Sequence, residues 1–189
     1  MKIKPNKNKD ILDRSRIKRL TYTAVFTSLI IVGGYIAVPI PVSPSPLVLG
    51  DMFVLMAGLY MGVKWGVTSV TIWVLLGAIG FPVFPAFTGG IGVLLSPRGG
   101  FYIGFLLAAA LCGFATKGHQ VKIEKVLLTV IVAYVVIFAC AVIWMRFWMP
   151  SWMAAISAGF LPFIPGTILK IILILFLQRK LRPHLQLDF

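Results

Sequence analysis

Residues 126–148 read VLLTVIVAYVVIFACAVIWMRFW, and the first charged side chain in this stretch is Arg146. A helix rises 1.5 Å per residue, so about 20 apolar residues cross the roughly 30 Å hydrocarbon core of a bilayer. Such a long run without a charge is typical of a lipid environment and not of a soluble domain. The stretch therefore predicts a membrane-spanning helix.

The composition of the whole chain extends this interpretation. Of the 189 residues, 59% are hydrophobic and 12% are charged, and the mean hydropathy is +0.97. A soluble domain has about 45–50% apolar and about 25% charged residues. We expect an all-α, polytopic membrane protein: one compact helical bundle, with no separate soluble domain.

Six apolar segments divide the chain, and several are shorter than the ~20 residues that a straight span needs. Short segments must be tilted, broken or extended by loops, and non-helical backbone at that depth must face protein or a water-filled cavity. The segments therefore predict a six-helix bundle with structured loops and a cavity. They are Leu20–Val38, Asp51–Gly62, Gly66–Gly80, Gly100–Ala115, Val126–Trp148 and Ile168–Leu177.

The basic residues predict the orientation. The net charge is +13, and eight of the 18 basic residues precede residue 20. A basic tail before a span is an orientation signal and a contact for anionic lipid; no base-stacking motif accompanies it, so nucleic acid is not expected. With the N-terminus inside, fifteen basic residues lie inside and two outside. We therefore expect a cytoplasmic tail over 1–19, a membrane domain over 20–180 and a cytoplasmic tail over 181–189.

The prolines indicate which side is irregular. Ten of the twelve fall in the three segments that this topology places outside, and the connections Pro39–Gly50 and Phe81–Gly99 are long. Proline fixes φ and removes a backbone donor, so these loops should be stiff and irregular. Long, ordered loops on one side predict a lid over a site that faces outward.

Three charged residues away from the inner surface are candidate ligand contacts. Asp51 and Lys170 lie in or at the edge of spans, where an unpaired charge costs several kcal/mol, on the order of 3 or more. Asp51 could instead cap the second helix, and Lys170 could snorkel to the surface. Arg98 lies at the outer mouth, where it could be an interfacial side chain or could hold a carboxylate in a bidentate contact.

Three uncharged residues are further candidates. Thr167 lies one helical turn before Lys170 on the same face, although it could simply cap the last helix. Trp73 and Tyr35 offer flat apolar surface with a polar tip, which suits a ring-shaped ligand, but core or interfacial packing would explain them equally well.

Catalytic, metal and cofactor motifs are not found in the sequence. There is no G-x-x-x-x-G-K-[ST] to bind ATP, and His119 and His184 lie outside the spans. Cys112 and Cys140 lie in apolar runs, where a thiol behaves as a small hydrophobe. We expect no catalytic site, no metal site and no cofactor.

Two patterns of small residues four apart predict close helix contacts. One joins Ala24 and Ser28 in the first helix, and the other joins Gly58 and Gly62 at the end of the second. Either pattern could serve packing within the bundle.

Four blocks of sequence, taken in order, resemble the biotin-specific S components, the BioY family, of energy-coupling factor (ECF) transporters. The resemblance runs from about residue 20 to residue 180. The blocks are FVLMAGLYMG at 53–62, LGAIGFPVF at 76–84, PRGGFYIGF at 97–105 and FIPGTILK at 163–170.

The resemblance implies the function and the partners. It implies a six-helix subunit in a prokaryotic plasma membrane that captures a vitamin from outside. It also implies a complex with a transmembrane coupling subunit and two ATPases, with Ala24 and Ser28 at the coupling subunit.

Four positions depart from the usual pattern of that family. Thr167 replaces an acid, Gly50 replaces Gln, Trp73 replaces Tyr and Arg98 replaces Thr. These changes imply a less polar pocket with an added cation, suited to biotin or a biotin-like carboxylate. Lipoate is the alternative ligand, and a stand-alone secondary transporter is the alternative class.

Overall fold

The computed structural model describes residues 7–38, 47–116 and 122–181. The ends of both predicted tails, most of the predicted loop Pro39–Gly50 and the centre of the inner connection that holds Lys117 lie outside these residues.

Seven α-helices, two short 3₁₀ turns and a two-stranded ladder make up the described chain. The helices are α1 (Lys7–Tyr35), α2 (Gly50–Ala78), α3 (Ile91–Leu95), α4 (Gly99–Ala115), α5 (Ile123–Met145), α6 (Trp152–Gly159) and α7 (Ile164–Leu181). The 3₁₀ turns are Pro85–Phe87 and Leu161–Phe163, and the strands are β1 (Ala37–Val38) and β2 (Leu47–Val48), which pair antiparallel.

The helix α2 is a hairpin of two arms. Its backbone leaves helical geometry at Gly62, which has φ of 72° and ψ of −176°. A Cβ on Gly66 would lie 2.8 Å from the Cα of Gly58, whereas residues eight apart in one straight helix are about 12 Å apart. The chain therefore turns back at Gly62, and residues 50–61 and 63–78 form two antiparallel arms.

With two arms in α2, the prediction of an all-α bundle of six spanning helices is confirmed: α1, the two arms of α2, α4, α5 and α7. Three stretches of the described chain are long and apolar enough to span a membrane by themselves: Gly50–Ala78, Ile123–Met145 and Trp152–Lys180. The first of these is divided by the turn at Gly62, so its arms are short, as the sequence predicts.

Two boundaries differ from the prediction. The helix α1 begins at Lys7 and not at Leu20, because the basic segment continues the helix of the apolar span. The helix α7 begins at Ile164 and not at Ile168. Pro165 does not delay it, since the first turn of a helix needs no backbone donor.

Glycine allows the central helices to approach closely. A Cβ on Gly58 would lie 2.3 Å from the carbonyl oxygen of Ala109 in α4, and a Cβ on Gly104 would lie 2.8 Å from the Cα of Ile137 in α5. The arms of α2, α4 and α5 therefore pack backbone to backbone around an apolar core. Of the predicted pair of small residues, Gly58 serves this internal packing, whereas a Cβ on Gly62 would meet no atom within 4 Å and Gly62 forms the turn.

The connections at one end of the bundle are joined to one another. We call this the loop end; it comprises residues 36–38, 47–49, 79–98 and 146–163. The hydroxyl of Tyr35 donates to the carbonyl oxygen of Pro82, and the indole of Trp144 donates to the carbonyl oxygen of Ser96 at 2.9 Å. Gly90 N–H donates to the Gly77 carbonyl at 2.7 Å. These bonds fix long, irregular segments against the helix ends.

Candidate binding site

A buried ion pair lies at the loop end of the bundle. The Nζ of Lys170, on α7, donates to Oδ2 of Asp51, on α2, and the two groups form a salt bridge. The same Nζ lies 3.5 Å from the carbonyl oxygen of Val48. Lys170 is only 5% exposed, so its charge is compensated by Asp51 and not by solvent. The alternative from the sequence, in which Lys170 snorkels to the surface, is therefore wrong.

Asp51 lies inside the first turn of α2. The N-cap is Leu49, without a side-chain cap bond, and Oδ1 of Asp51 accepts from the N–H of Met52 at 2.9 Å. Capping by Asp51, one alternative from the sequence, is therefore wrong. Its position near the positive end of the helix dipole also stabilises its negative charge.

Tyr134 of α5 completes the group around the pair. The Lys170 ammonium lies 5.7 Å from the centre of its ring, within the range of a cation–π contact. Its hydroxyl is close enough to Asp51 for an electrostatic interaction. Tyr134 is not among the candidates predicted from the sequence, although a single tyrosine in the middle of an apolar span is a signal that could have indicated it.

Thr167 lies on α7 one turn before Lys170. Its hydroxyl donates to the carbonyl oxygen of Phe163 at 2.9 Å, four residues earlier. Thr167 is therefore within the helix and does not cap it, because α7 starts at Ile164. The donor proton is used by the helix backbone, and the oxygen retains a lone pair as an acceptor.

Aromatic side chains from three elements meet beside this group. The rings of Phe101 on α4 and Phe163 have centroids 5.4 Å apart. Phe138 on α5 lies 6.2 Å from Phe163 and 5.2 Å from Phe160. These contacts connect the start of α4 to the start of α7 and provide apolar ring surface near Thr167.

Trp73 is part of the packed core, on the second arm of α2. It is 2% exposed, its indole donates to the carbonyl oxygen of Val83 at 2.9 Å, and its ring lies 5.5 Å from both Phe84 and Tyr102. The residue therefore fixes the loop that follows α2. Contact of Trp73 with a ligand stays a prediction.

Arg98 lies at the start of α4, where its side chain is exposed. Its charge acts on Tyr102, one turn further along the helix. Phe101 is next to Tyr102 and contacts Phe163, so Arg98 lies at the same end of the bundle as the ion pair. It is a charge at the mouth and not in the interior.

Tyr35 holds the loop that follows α2. Its ring stacks on Phe87 with centroids 4.2 Å apart and planes at 22°. Phe87 is 67% exposed, and both Ala86 and Phe87 have positive φ, at 59° and 56°. That backbone region is unfavourable for residues other than glycine. The stack and the bond to Pro82 hold this strained turn over the loop end.

A groove of about 340 Å³ runs along α7 beside the ion pair. It contains the side chain of Lys170 and is otherwise apolar. Its lining is Leu49, Leu169, Lys170, Ile172, Leu173 and Phe176.

The predicted partner residues lie away from this group. Ala24 and Ser28 are both exposed on α1, and the hydroxyl of Ser28 donates to the carbonyl oxygen of Ala24 at 2.9 Å. The hydroxyl is thus bonded to its own helix, and the face presents little polarity. Within the described residues, no group of three or more His, Cys, Asp or Glu side chains could hold a metal ion.

The fold and the site define a polytopic helical membrane protein with a charged site buried between its helices at one end. Lys170, Asp51 and Thr167 lie together there, with Tyr134 and Phe163 as neighbours. Arg98 and Tyr35 lie at the same end, nearer its surface.

Comparison with known proteins gives the family. The profile of the BioY family matches residues 5–187. The biotin transporter BioY of Thermotoga maritima is 32% identical over 166 residues, which are 88% of this chain and 96% of that protein. The probable biotin transporter BioY of Pyrococcus horikoshii is 37% identical over 155 residues, 82% of this chain and 90% of that protein. The chain belongs to the BioY family.

A solved structure has the same fold. The crystal structure of the S-component for biotin from an ECF-type ABC transporter superposes with a TM-score of 0.80. Its sequence is 31% identical, and the superposition covers 90% of this chain and 93% of that one.

Proposed function

We propose that this chain is the substrate-binding subunit of an ECF-type vitamin importer and that it captures biotin from outside the cell. One observation carries the proposal beyond the family: Lys170 is buried between helices at the loop end, beside the aromatic rings of Phe101 and Phe163. A buried ammonium group next to ring surface suits a small ligand that has an apolar ring system and one carboxylate.

Each site residue has a part in this proposal. Lys170 binds the carboxylate inside the bundle, and the exposed Arg98 attracts it at the mouth. The oxygen of Thr167 accepts from the ring of the ligand. Tyr35 and Trp73 position the loops that surround the ring, and Asp51 holds Lys170 in place.

The loop end faces outward, and both termini are cytoplasmic, as the distribution of basic residues predicts. Ligand then enters from the side where Arg98 lies, and the basic start of α1 faces anionic lipid.

A transmembrane coupling subunit packs against the small, exposed face at Ala24 and Ser28, and two ATPase subunits hydrolyse ATP. This chain is then a transport subunit and not an enzyme. A stand-alone secondary transporter is disfavoured because Asp51 is already paired with Lys170 and does not offer a free carboxylate for a coupling ion.

Lipoate is the second candidate ligand. It also has a carboxylate tail, but its dithiolane ring cannot donate hydrogen bonds. The observation that favours it is the aromatic surface of Phe101 and Phe163 next to Thr167, a residue without charge.

Native mass spectrometry of the protein purified from cells supplied with both vitamins tests this proposal. We expect one biotin molecule per chain. If lipoate is found instead of biotin, the assignment as a vitamin-binding subunit stands and the assigned vitamin is wrong. A protein that carries neither vitamin, and binds neither when it is added back, would contradict the proposal.

A further inference from the structure

Lys170 has a counter-ion of its own. Its ammonium is paired with Asp51, and both side chains are largely shielded from solvent. An incoming carboxylate therefore meets a lysine whose charge is already neutralised. Either the carboxylate joins the pair, which places two anions on one cation, or it replaces Asp51.

Tyr134 carries an unsatisfied donor beside the same pair. It is 3% exposed, and its buried hydroxyl makes no well-formed hydrogen bond among the described residues, with Asp51 as its neighbouring acceptor. A buried hydroxyl without a partner is costly. It lies close enough to Asp51 to interact with its charge.

We propose that Asp51 is the resting counter-ion of Lys170 and is exchanged for the carboxylate of the ligand, whereupon Tyr134 donates its hydroxyl proton in a hydrogen bond to Asp51. This inference rests on the proposed function. The exchange gives both charged groups a partner in both states: Lys170 always faces one carboxylate, and Asp51 passes from the ammonium to the phenol.

The exchange has a consequence for selectivity. A free acid can replace Asp51, but an uncharged amide offers too weak a partner to do so. Asp51 therefore lowers the affinity for the acid below what an unpaired lysine would give, and in return it keeps an isolated buried charge from forming in the resting protein.

Calorimetric titration of biotin and biotinamide tests this directly. In Asp51→Asn the lysine has no competing anion, so we expect biotin to bind at least about tenfold more tightly, a change of about 1.4 kcal/mol. Biotinamide should change by less than about threefold, because it does not neutralise the lysine. Asp51→Glu is the matched comparison: it keeps a competing anion, so the gain in biotin affinity should be smaller than in Asp51→Asn.

Tyr134→Phe tests the second half of the exchange. It should weaken biotin binding by about threefold to tenfold, as loss of a hydrogen bond to a charged group does, without lowering the melting temperature. In the Asp51→Asn background the same substitution should have no effect on biotin. Equal weakening in both backgrounds would mean that Tyr134 acts on packing, and would overturn its role.

Failure of the counter-ion exchange can be distinguished from failure of the proposed function. Loss of biotin affinity in Asp51→Asn, with biotinamide binding retained, would overturn the inference and leave the proposed function standing. Absence of biotin binding to the unaltered protein would overturn both. If Asp51→Asn does not fold, the structure of the unaltered protein with biotin decides. The inference requires Lys170 Nζ on the ligand carboxylate and more than about 4 Å from Asp51, the limit for an ion pair; an intact Lys170–Asp51 pair overturns it.

Discussion

Replacement of Lys170 by Met should reduce the affinity for biotin and keep the side-chain volume at this position. Methionine keeps the length and flexibility of the lysine stem, so the apolar lining of the groove beside Leu169 and Leu173 is kept. What is lost is the ammonium and with it the group proposed to bind the carboxylate. The substitution therefore separates charge from packing, which Lys170→Ala would remove together.

The expected loss follows from the burial of Lys170. Truncating one partner of a desolvated charge pair costs about 2–5 kcal/mol, which corresponds to about thirtyfold or more in affinity. The loss in binding free energy is reduced because the unaltered protein must first separate Lys170 from Asp51 before it binds the ligand. The variant also leaves Asp51 unpaired, and its charge repels the ligand. A loss of more than about tenfold, or ~1.4 kcal/mol, is the smallest value consistent with the geometry.

Arg98→Ala provides the comparison. Arg98 is exposed, and an exposed ion pair contributes only about 0–1 kcal/mol, so its loss should be several-fold and should shrink at high salt. Calorimetry on the purified variants, at low and high salt, measures both. Unchanged biotin affinity in Lys170→Met would refute the reasoning, as would a larger loss in Arg98→Ala.

Three further predictions concern coupling, packing and orientation. Ala24→Trp should abolish uptake in cells that express the transporter partners, while biotin binding to the purified subunit stays normal. Loss of biotin binding would contradict the assignment of Ala24 to the partner interface. Gly58→Ala should lower the melting temperature in detergent, corresponding to about 1–3 kcal/mol of overpacking, because its Cβ would lie 2.3 Å from a carbonyl oxygen. Gly92→Ala, whose Cβ would meet no atom within 4 Å, is the control, and an equal loss there would contradict the packing argument. Cysteines introduced at Ser45 and Lys117, which lie outside the described residues, should be labelled from outside intact cells only at Ser45; labelling at Lys117 would invert the topology.

The sequence predicts the fold well because its strongest signals are local. The hydrocarbon core of the bilayer requires every spanning helix to be apolar and sets the length that it needs, so each span can be recognised in its own stretch of sequence. The close contact at Gly58 is likewise visible as a pattern of small residues. The start of α7 was misplaced because Pro165 resembles a break, although proline is well tolerated in a first helical turn.

The candidate site was only partly predictable, because it depends on pairs distant in sequence. Asp51 and Lys170 each stand out as rare charges in apolar segments, but their contact joins α2 to α7 across 119 positions of the chain. No local pattern indicates such a pair. Tyr134 was missed for the same reason: it acts through its position beside the pair and not through any motif of its own.

Titration of the purified, unaltered protein with biotin is the most direct test of the proposed function. We expect saturable binding of one biotin per chain, with a clear preference for the free acid over biotinamide. Saturable binding with equal affinity for acid and amide would show that the buried lysine does not hold the carboxylate, and no binding of biotin at all would contradict the proposal that this chain captures it.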